Sequence, residues 1–476
     1  MIGLIEKTGL QEILAVAKNY GGDFAEIFIE KKNNSGVGLE AGKIERVVSG
    51  VDIGAGIRVI KGENTSYAYT NDLSIESLMK AAKIVAKSAG NKETPTSINL
   101  SKESKKDKVY VEKEPDTIPI DKKVEKVVEA NKAAREIDDR IRQVMVAYGD
   151  VVQEVVIANS LGEMVEDKRV RTRFLVNSVA AEGSVIQTGY EAVGSFAGFE
   201  LFDEIDSADI AKMAAKRAIK MLEAKPAPSG KMPVVMTSQS GGTMVHEACG
   251  HGLEADLVQK KLSVYADKKG QQVASPEITV IDDGTMKKYG YLNWDDEGVK
   301  TRKNTLIKNG VLEELMYDRL TAIKEKREST GNGRRESYQD RPIPRMTNTY
   351  IDKGDLDPEK IIRATKRGIL VEKMGGGQVN TTNGDFVFEV AEGYLIEDGE
   401  IKEAVRGATL TGNGPTVLNN IDMVGQDLGF AIGTCGKDGQ GVPVSDAQPT
   451  LRITEMIIGG TNAPGAGPEI KRIRRI

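Results

Sequence analysis

His246 and His251 are the only two histidines in 476 residues, and both fall in the stretch His246-Glu247-Ala248-Cys249-Gly250-His251. Random placement would bring two residues this close about one time in fifty, so the clustering points to a task for imidazole. The stretch is similar to the helix-borne zinc signature His-Glu-x-x-His, in which the glutamate is a general base, but it has one residue more between the histidines. On a regular α-helix, residues four apart differ in direction by about 40° and residues five apart by about 140°. Two imidazoles can share an ion here only if the helix is bulged or broken at Ala248–Gly250. A π-bulge does this, because its i→i+5 hydrogen bond brings residues five apart nearly into line. Gly250 and Gly252 make such a distortion affordable.

A catalytic ion takes three protein ligands and keeps one position open. The third ligand must come from Cys249, Cys435 or a carboxylate, and a thiolate in a mixed His/Cys set is ordinary zinc chemistry. Cys249 is close but lies between the histidines, where the three directions conflict. Cys435 lies in Gly433-Thr434-Cys435-Gly436, whose small residues leave space for a metal and substrate. On this reasoning the two cysteines stand nearly equal, and either one can be a small buried hydrophobe instead. Arg334, Arg335 and Arg345 can hold a substrate carboxylate by bidentate pairing, although structural ion pairs are the commoner use of such residues. Gly375-Gly376-Gly377 reads as a tight turn, with close approach of an extended peptide as the other use.

The elements that position these residues divide into two sets. An amphipathic helix is expected over 4–19, then strands at 25–29 and 51–59 and a helix over 75–89 with Ile75, Leu78, Ala81, Ile84 and Val85 on one side. A charged, turn-rich excursion occupies about 92–119. A helix over 121–137 follows, with strands at 141–147 and across 154–193, the latter broken by a hairpin turn at Asn159-Ser160-Leu161-Gly162. A helix over 207–223 is capped by Ser207. The run Lys225-Pro226-Ala227-Pro228-Ser229-Gly230 cannot continue it and marks a boundary. The second half opens on the apolar strand 233–236 and is glycine-rich and strand-like, with a helix over 357–367 capped at Asp357-Pro358. The expected fold is α+β in two domains, a mixed helix/strand domain over 1–227 and a strand-rich domain carrying the metal site over 228–476.

Composition excludes several function classes. A net charge of −5 provides no general attraction to nucleic acid, and the basic ending KRIRRI is short enough to be a solvated tail. No stretch approaches the roughly 18 unbroken apolar residues of a membrane helix. The opening MIGLIEKTGLQEI carries charges where a secretory signal would be apolar, and two cysteines do not make a disulfide framework, so a cytoplasmic location is expected.

Five segments together resemble the TldD/PmbA family of metallopeptidases, and specifically its TldD-type subunit. They are HEACGHGLEADL at 246–257, GNGRRESYQDRPIPRMTNTYI at 331–351, GGGQVNTTNGDFVFEVAEGYLIEDGEI at 375–401, VRGATLTGNGPTVLNNIDMVGQD at 405–427 and GTCGKDGQGVPVSDAQPTLRI at 433–453. The resemblance implies a zinc ion held by His246, His251 and Cys435, which chooses Cys435 over Cys249, with Glu247 as the general base. It implies proteolysis of small or unfolded polypeptides, and a heterodimer with a paralogue lacking the metal motif or a homodimer. Two other readings compete: a non-catalytic interaction subunit with a structural metal, for which Cys249 would be a fourth ligand, and a zinc amidase acting on a non-peptide substrate.

Overall fold

The computed structural model describes residues 5–90, 93, 96–100, 105–106 and 111–460. Leu4, the basic ending at 471–476 and much of the 92–119 excursion lie outside these. The first half runs α1 (Lys7–Lys18), β1 (Phe24–Glu40), β2 (Lys43–Lys61), β3 (Asn64–Thr70), α2 (Ile75–Ala89), β4 (Lys105–Lys106), α3 (Ile120–Arg135), β5 (Ile141–Asn159), β6 (Met164–Glu182), β7 (Val185–Ser195), α4 (Leu201–Glu204) and α5 (Ser207–Glu223). The strands form one sheet in the order β3-β2-β1-β5-β6, and β4 and β7 both pair with β6. The turn between β5 and β6 is built as its residues require. Asn159 Oδ1 accepts from the Leu161 and Glu163 amides at 3.0 and 3.3 Å, and Gly162 takes φ 81.

Side chains on a strand alternate between faces, and β1 shows what each face meets. Ala25, Ile27 and Ile29 pack with Leu10, Ile13 and Leu14 of α1 and Leu78, Ala82 and Val85 of α2. Phe28 faces the other way, into a cluster with Trp294 and Tyr338 of the second half. Glu26 and Glu30 share its parity and are also buried. Over residues 25–30 both faces of the sheet are therefore covered, one by helices and one by the second half of the chain.

Several local expectations are corrected. Ile75 and Ile84 of α2 are 44% and 55% exposed, because the buried face follows Leu78, Ala81, Ala82, Val85 and Ala89. Asp206, not Ser207, caps α5 by accepting from the Ala208 amide at 2.8 Å, while the Ser207 hydroxyl donates to Glu129. The late helix is only Pro358–Arg363, capped by Asp357, since the chain enters a strand at Arg367. Gly375–Gly377 form no tight turn. They lie inside the strand Arg367–Val379 at a register irregularity, where the Phe388 ring would stand 2.0 Å from any Cβ at Gly377.

The second half contains two larger sheets. In one, the strands Arg367–Val379, Gly230–Met236, Leu451–Gly459, Thr409–Asn413 and Asp385–Glu397 pair in sequence, and the last pairs back to the first, closing a ring. The other has six strands and ends on the hairpin Gly429–Lys437 and Gln440–Gln448. Lys225–Pro226 is the first segment joined to these sheets, in parallel pairing with Val405–Arg406.

Candidate metal centre

Strand Gly230–Met236 feeds a sequence of short turns. Helix Thr243–Val245 leads into a π-helical turn over His246–Gly250, then a tighter turn over His251–Leu253. The His251 amide donates to the His246 carbonyl, the i→i+5 bond that the histidine spacing requires. The two imidazoles face each other at 84° with ring centroids 4.9 Å apart. Two glycines seat this segment against strands far along the chain. A Cβ at Gly250 would lie 2.2 Å from Met346 Sδ, and one at Gly242 would lie 2.2 Å from the Ala447 amide.

The hairpin Gly429–Lys437 and Gln440–Gln448 brings Cys435 to the histidines. Its Sγ lies 3.5 Å from His251 Nε2, and one ligand atom from each of His246, His251 and Cys435 falls within 4.8 Å of the others. Ligands 2.0–2.3 Å from a tetrahedral ion stand about 3.3–3.7 Å apart, a separation that the Cys435–His251 pair meets. The outward-facing ring nitrogens are anchored. His246 Nδ1 meets Asp446 Oδ1 at 2.9 Å, and His251 Nδ1 meets Glu254 Oε2 at 3.1 Å. A carboxylate only accepts, so each Nδ1 carries the proton and each Nε2 is left to face Cys435. Lys437 in turn holds Glu254 and Asp256 at 3.0 and 2.6 Å. Arg345 donates to the Cys435 carbonyl.

The charges follow from this packing. Burial pushes the Cys435 thiol up, but the two imidazoles outweigh it and bring it down to about 5, so the thiolate is the form present at neutral pH. Burial lowers His251, and Glu254 and Cys435 more than offset this, holding it at about 9; Asp446 and Cys435 do the same for His246, which stands well above its ordinary value. An anionic sulfur against two nitrogens is the donor set that a divalent ion would take in place of protons. Burial raises the Glu247 carboxyl, with the nearby imidazoles opposing. Glu247 is half-buried and has no hydrogen-bond or ion-pair partner among the described residues.

Cys249 is not part of this cluster. Its thiol donates to the Val245 carbonyl, and burial alone pushes it up to about 12. Of the three arginines, Arg335 is tied to Glu26 at 2.7 Å and Arg345 to the backbone of Cys435 and Gln440. Arg334 donates to the Met346 and Pro443 carbonyls and to no carboxylate among the described residues. Sequence reasoning missed Asp446, Glu254 and Lys437. Glu254 had a signal, a carboxylate three residues after a histidine on a turn; Asp446 had none.

Family models describe this architecture along almost the whole chain. Residues 25–89 match domain 1, 113–222 the central domain and 229–460 the C-terminal domain of the PmbA/TldA metallopeptidases. The chain belongs to the PmbA/TldD metallopeptidase family. It is 38% identical to the metalloprotease TldD homolog of Haemophilus influenzae over 92% of this chain and 93% of that one. It is 28% identical to the zinc metalloprotease TldD homolog of Saccharolobus solfataricus, over 93% and 98% of the two chains. The solved structure of TldE from Thermococcus kodakarensis shares the fold with a TM-score of 0.76 at 23% identity, covering 95% of this chain and all of the other. No helix among the described residues is long and apolar enough to cross a membrane.

Proposed function

We propose that the chain is a zinc-dependent peptidase acting on small or unfolded polypeptides, with His246, His251 and Cys435 as ligands and Glu247 as general base. The observation that carries this reading is the convergence of two anchored Nε2 atoms and one thiolate beside a carboxylate that nothing else engages. With three protein donors a tetrahedral ion keeps one position open, as a catalytic site requires. The relatives named metalloprotease, one of them zinc metalloprotease, support the same assignment. We read 228–476 as the unit that carries the centre and 1–227 as the unit packed against it. The partner in this reading is a motif-lacking paralogue or a second copy, and the location is cytoplasmic, where the free thiols Cys249 and Cys435 persist.

Bound zinc would supply a Lewis acid that makes water nucleophilic at neutral pH and polarises the scissile carbonyl. The chain's own residues do the rest. Glu247 takes the proton from water and returns it to the leaving amine. Asp446 and Glu254 fix the imidazole tautomers, and Arg345 holds the Cys435 backbone so that the thiolate keeps its direction.

The structural-metal reading needs a fourth protein ligand, and Cys249, its candidate, points its thiol at a helix carbonyl. The test is metal analysis with hydrolysis of an unfolded polypeptide. Cys435→Ala is expected to lose most of its zinc together with activity, while Cys249→Ala keeps both. Full zinc content in Cys435→Ala would remove Cys435 from the ligand set, and hydrolysis of non-peptide amides only would replace the peptidase by an amidase. Asp446→Asn is expected to weaken zinc affinity by about 10- to 100-fold, the usual effect of losing a carboxylate behind a ligating histidine. Competition with a chelator measures it, and an unchanged affinity would deny Asp446 the anchoring role.

A further inference from the structure

Cys435 sits near the tip of its hairpin. Strands Gly429–Lys437 and Gln440–Gln448 are joined by Asp438-Gly439, both at positive φ, and the first pairs with no other strand among the described residues. Gly436, Asp438 and Gly439 are exposed. Hairpin tips open before the sheet behind them, so a metal ligand placed there needs holding. Apart from the Cys435 thiol itself, the hairpin is bonded to residues 243–256 at two places among the described residues. Near its base Asp446 meets His246, and at its tip Lys437 reaches Glu254 and Asp256.

Lys437 lies two residues beyond Cys435 and therefore on the same face of the strand. Its ammonium has three protons and three partners: Asp256 Oδ1 at 2.6 Å, Glu254 Oε2 at 3.0 Å and the Pro344 carbonyl at 3.1 Å. The lysine side chain is 7% exposed and that of Glu254 is fully buried. The oxygen that Lys437 grips is the one that meets His251 Nδ1, while Glu254 Oε1 is buried without a hydrogen-bond partner. Lys437 therefore sets which oxygen faces the imidazole. Pro344 continues into Arg345, whose guanidinium donates to the Cys435 and Gln440 carbonyls. One side chain thus ties the strand of the sulfur ligand to the turn of a nitrogen ligand and to the strand that backs the tip.

We propose that Lys437 is a positioning residue of the metal centre, locking the hairpin tip to the histidine turn so that Cys435 Sγ and His251 Nε2 are held at their 3.5 Å separation before an ion arrives. The proposal rests on the ligand set assigned above and adds to it the group that preorganises two of its members. A clamp and a simple charge have opposite signatures. Removing a clamp loosens the metal, whereas removing an ammonium leaves two carboxylates, Glu254 and Asp256, whose charge attracts a cation.

The test uses the whole chain loaded with cobalt(II) or zinc. A thiolate bound to cobalt(II) gives a sulfur-to-metal absorption band, which reports the Cys435–metal bond without any turnover. Lys437→Met keeps the length without the charge. It is expected to weaken that band and to lose about tenfold in zinc affinity, the lower end of the range for groups behind a ligand, because Lys437 acts one contact further out. Asp256→Asn leaves the Lys437–Glu254 bond in place and is expected to shift band and affinity less, in the same direction. The double variant is expected to be no worse than Lys437→Met, since Asp256 acts through Lys437. A merely structural role would lower the urea midpoints and leave band and affinity at wild-type values, which overturns the proposal. Tighter metal binding by Lys437→Met overturns it too, and so does an Asp256→Asn protein indistinguishable from wild type in both readouts. A wild type without the sulfur band, or a Cys435→Ala variant that keeps it, overturns the ligand set and the proposal with it.

Discussion

Glu247→Gln is expected to keep its full complement of zinc and to lose between about 10²- and 10⁴-fold in the rate of peptide hydrolysis, or roughly 3–5 kcal/mol of transition-state stabilisation. The two halves of this expectation have separate causes. Metal retention follows from the proposed assignment, in which the donor atoms belong to His246, His251 and Cys435 and their supports to Asp446, Glu254 and Arg345. Glu247 touches none of these as a hydrogen-bond partner. The rate loss follows because glutamine keeps the shape but has no site to take a proton from water. Half-burial and the lack of any other partner mean that the wild-type carboxylate has no competing structural duty. Metal content by elemental analysis and single-turnover hydrolysis of one peptide would measure both halves. Undiminished hydrolysis would refute the general-base role, and loss of zinc would show that Glu247 supports the centre itself.

The same residues show how far a sequence carries such an argument. The π turn at His246–Gly250 is legible because a five-residue spacing is incompatible with an α-helix and Gly250 and Gly252 flank the second histidine. The choice of Cys435 was not legible from spacing; it came from resemblance, since the hairpin that delivers it is 184 positions from His251. Asp446 was equally hidden, being an ordinary aspartate in a strand until Gly242 lets the histidine segment approach it. Strand lengths were underestimated for a related reason. The expected strands stop at Ala147 and resume at Glu154, yet β5 runs through the interval, where Lys123 neutralises Asp150 inside the fold at 2.6 Å. In β1 the alternation of Ala25-Glu26-Ile27 reads as one buried and one solvated face. The charged face is buried too, because the second half of the chain covers it.

That covered face leads to the second large effect. Glu26→Gln is expected to lower unfolding stability by about 3–5 kcal/mol, the cost of removing one partner from a buried ion pair. Glu26 accepts from Arg58 at 2.9 Å and from Arg335 at 2.7 Å, and all three side chains are essentially inaccessible to water. Arg58 keeps Glu297 as a partner after the change, whereas Arg335 is left with the Asp296 carbonyl, the Tyr67 hydroxyl and a buried positive charge that no bonded carboxylate balances. By contrast, Glu125→Gln removes the exposed pair with Lys122 and is expected to change stability by less than about 0.5 kcal/mol. The pH dependence carries a definite sign. Burial alone would raise the Glu26 carboxyl, but Arg58 and Arg335 outweigh it and hold it below its ordinary value. Its contribution is therefore fully present above the unfolded value near ~4.3 and fades as pH falls through the folded one. Urea midpoints for wild type, both variants and Glu26→Gln combined with Arg335→Gln would measure this, the double change being less damaging than the sum of the singles. An unchanged midpoint in Glu26→Gln would mean that the network adds nothing. A lowered one should be accompanied by weaker zinc retention, because Arg335 adjoins Arg334 and the same stretch continues to Arg345, which holds the Cys435 carbonyl. The buried charges between the halves would then act at the metal centre through the position of the paired strands Gly333–Arg334 and Ile343–Pro344.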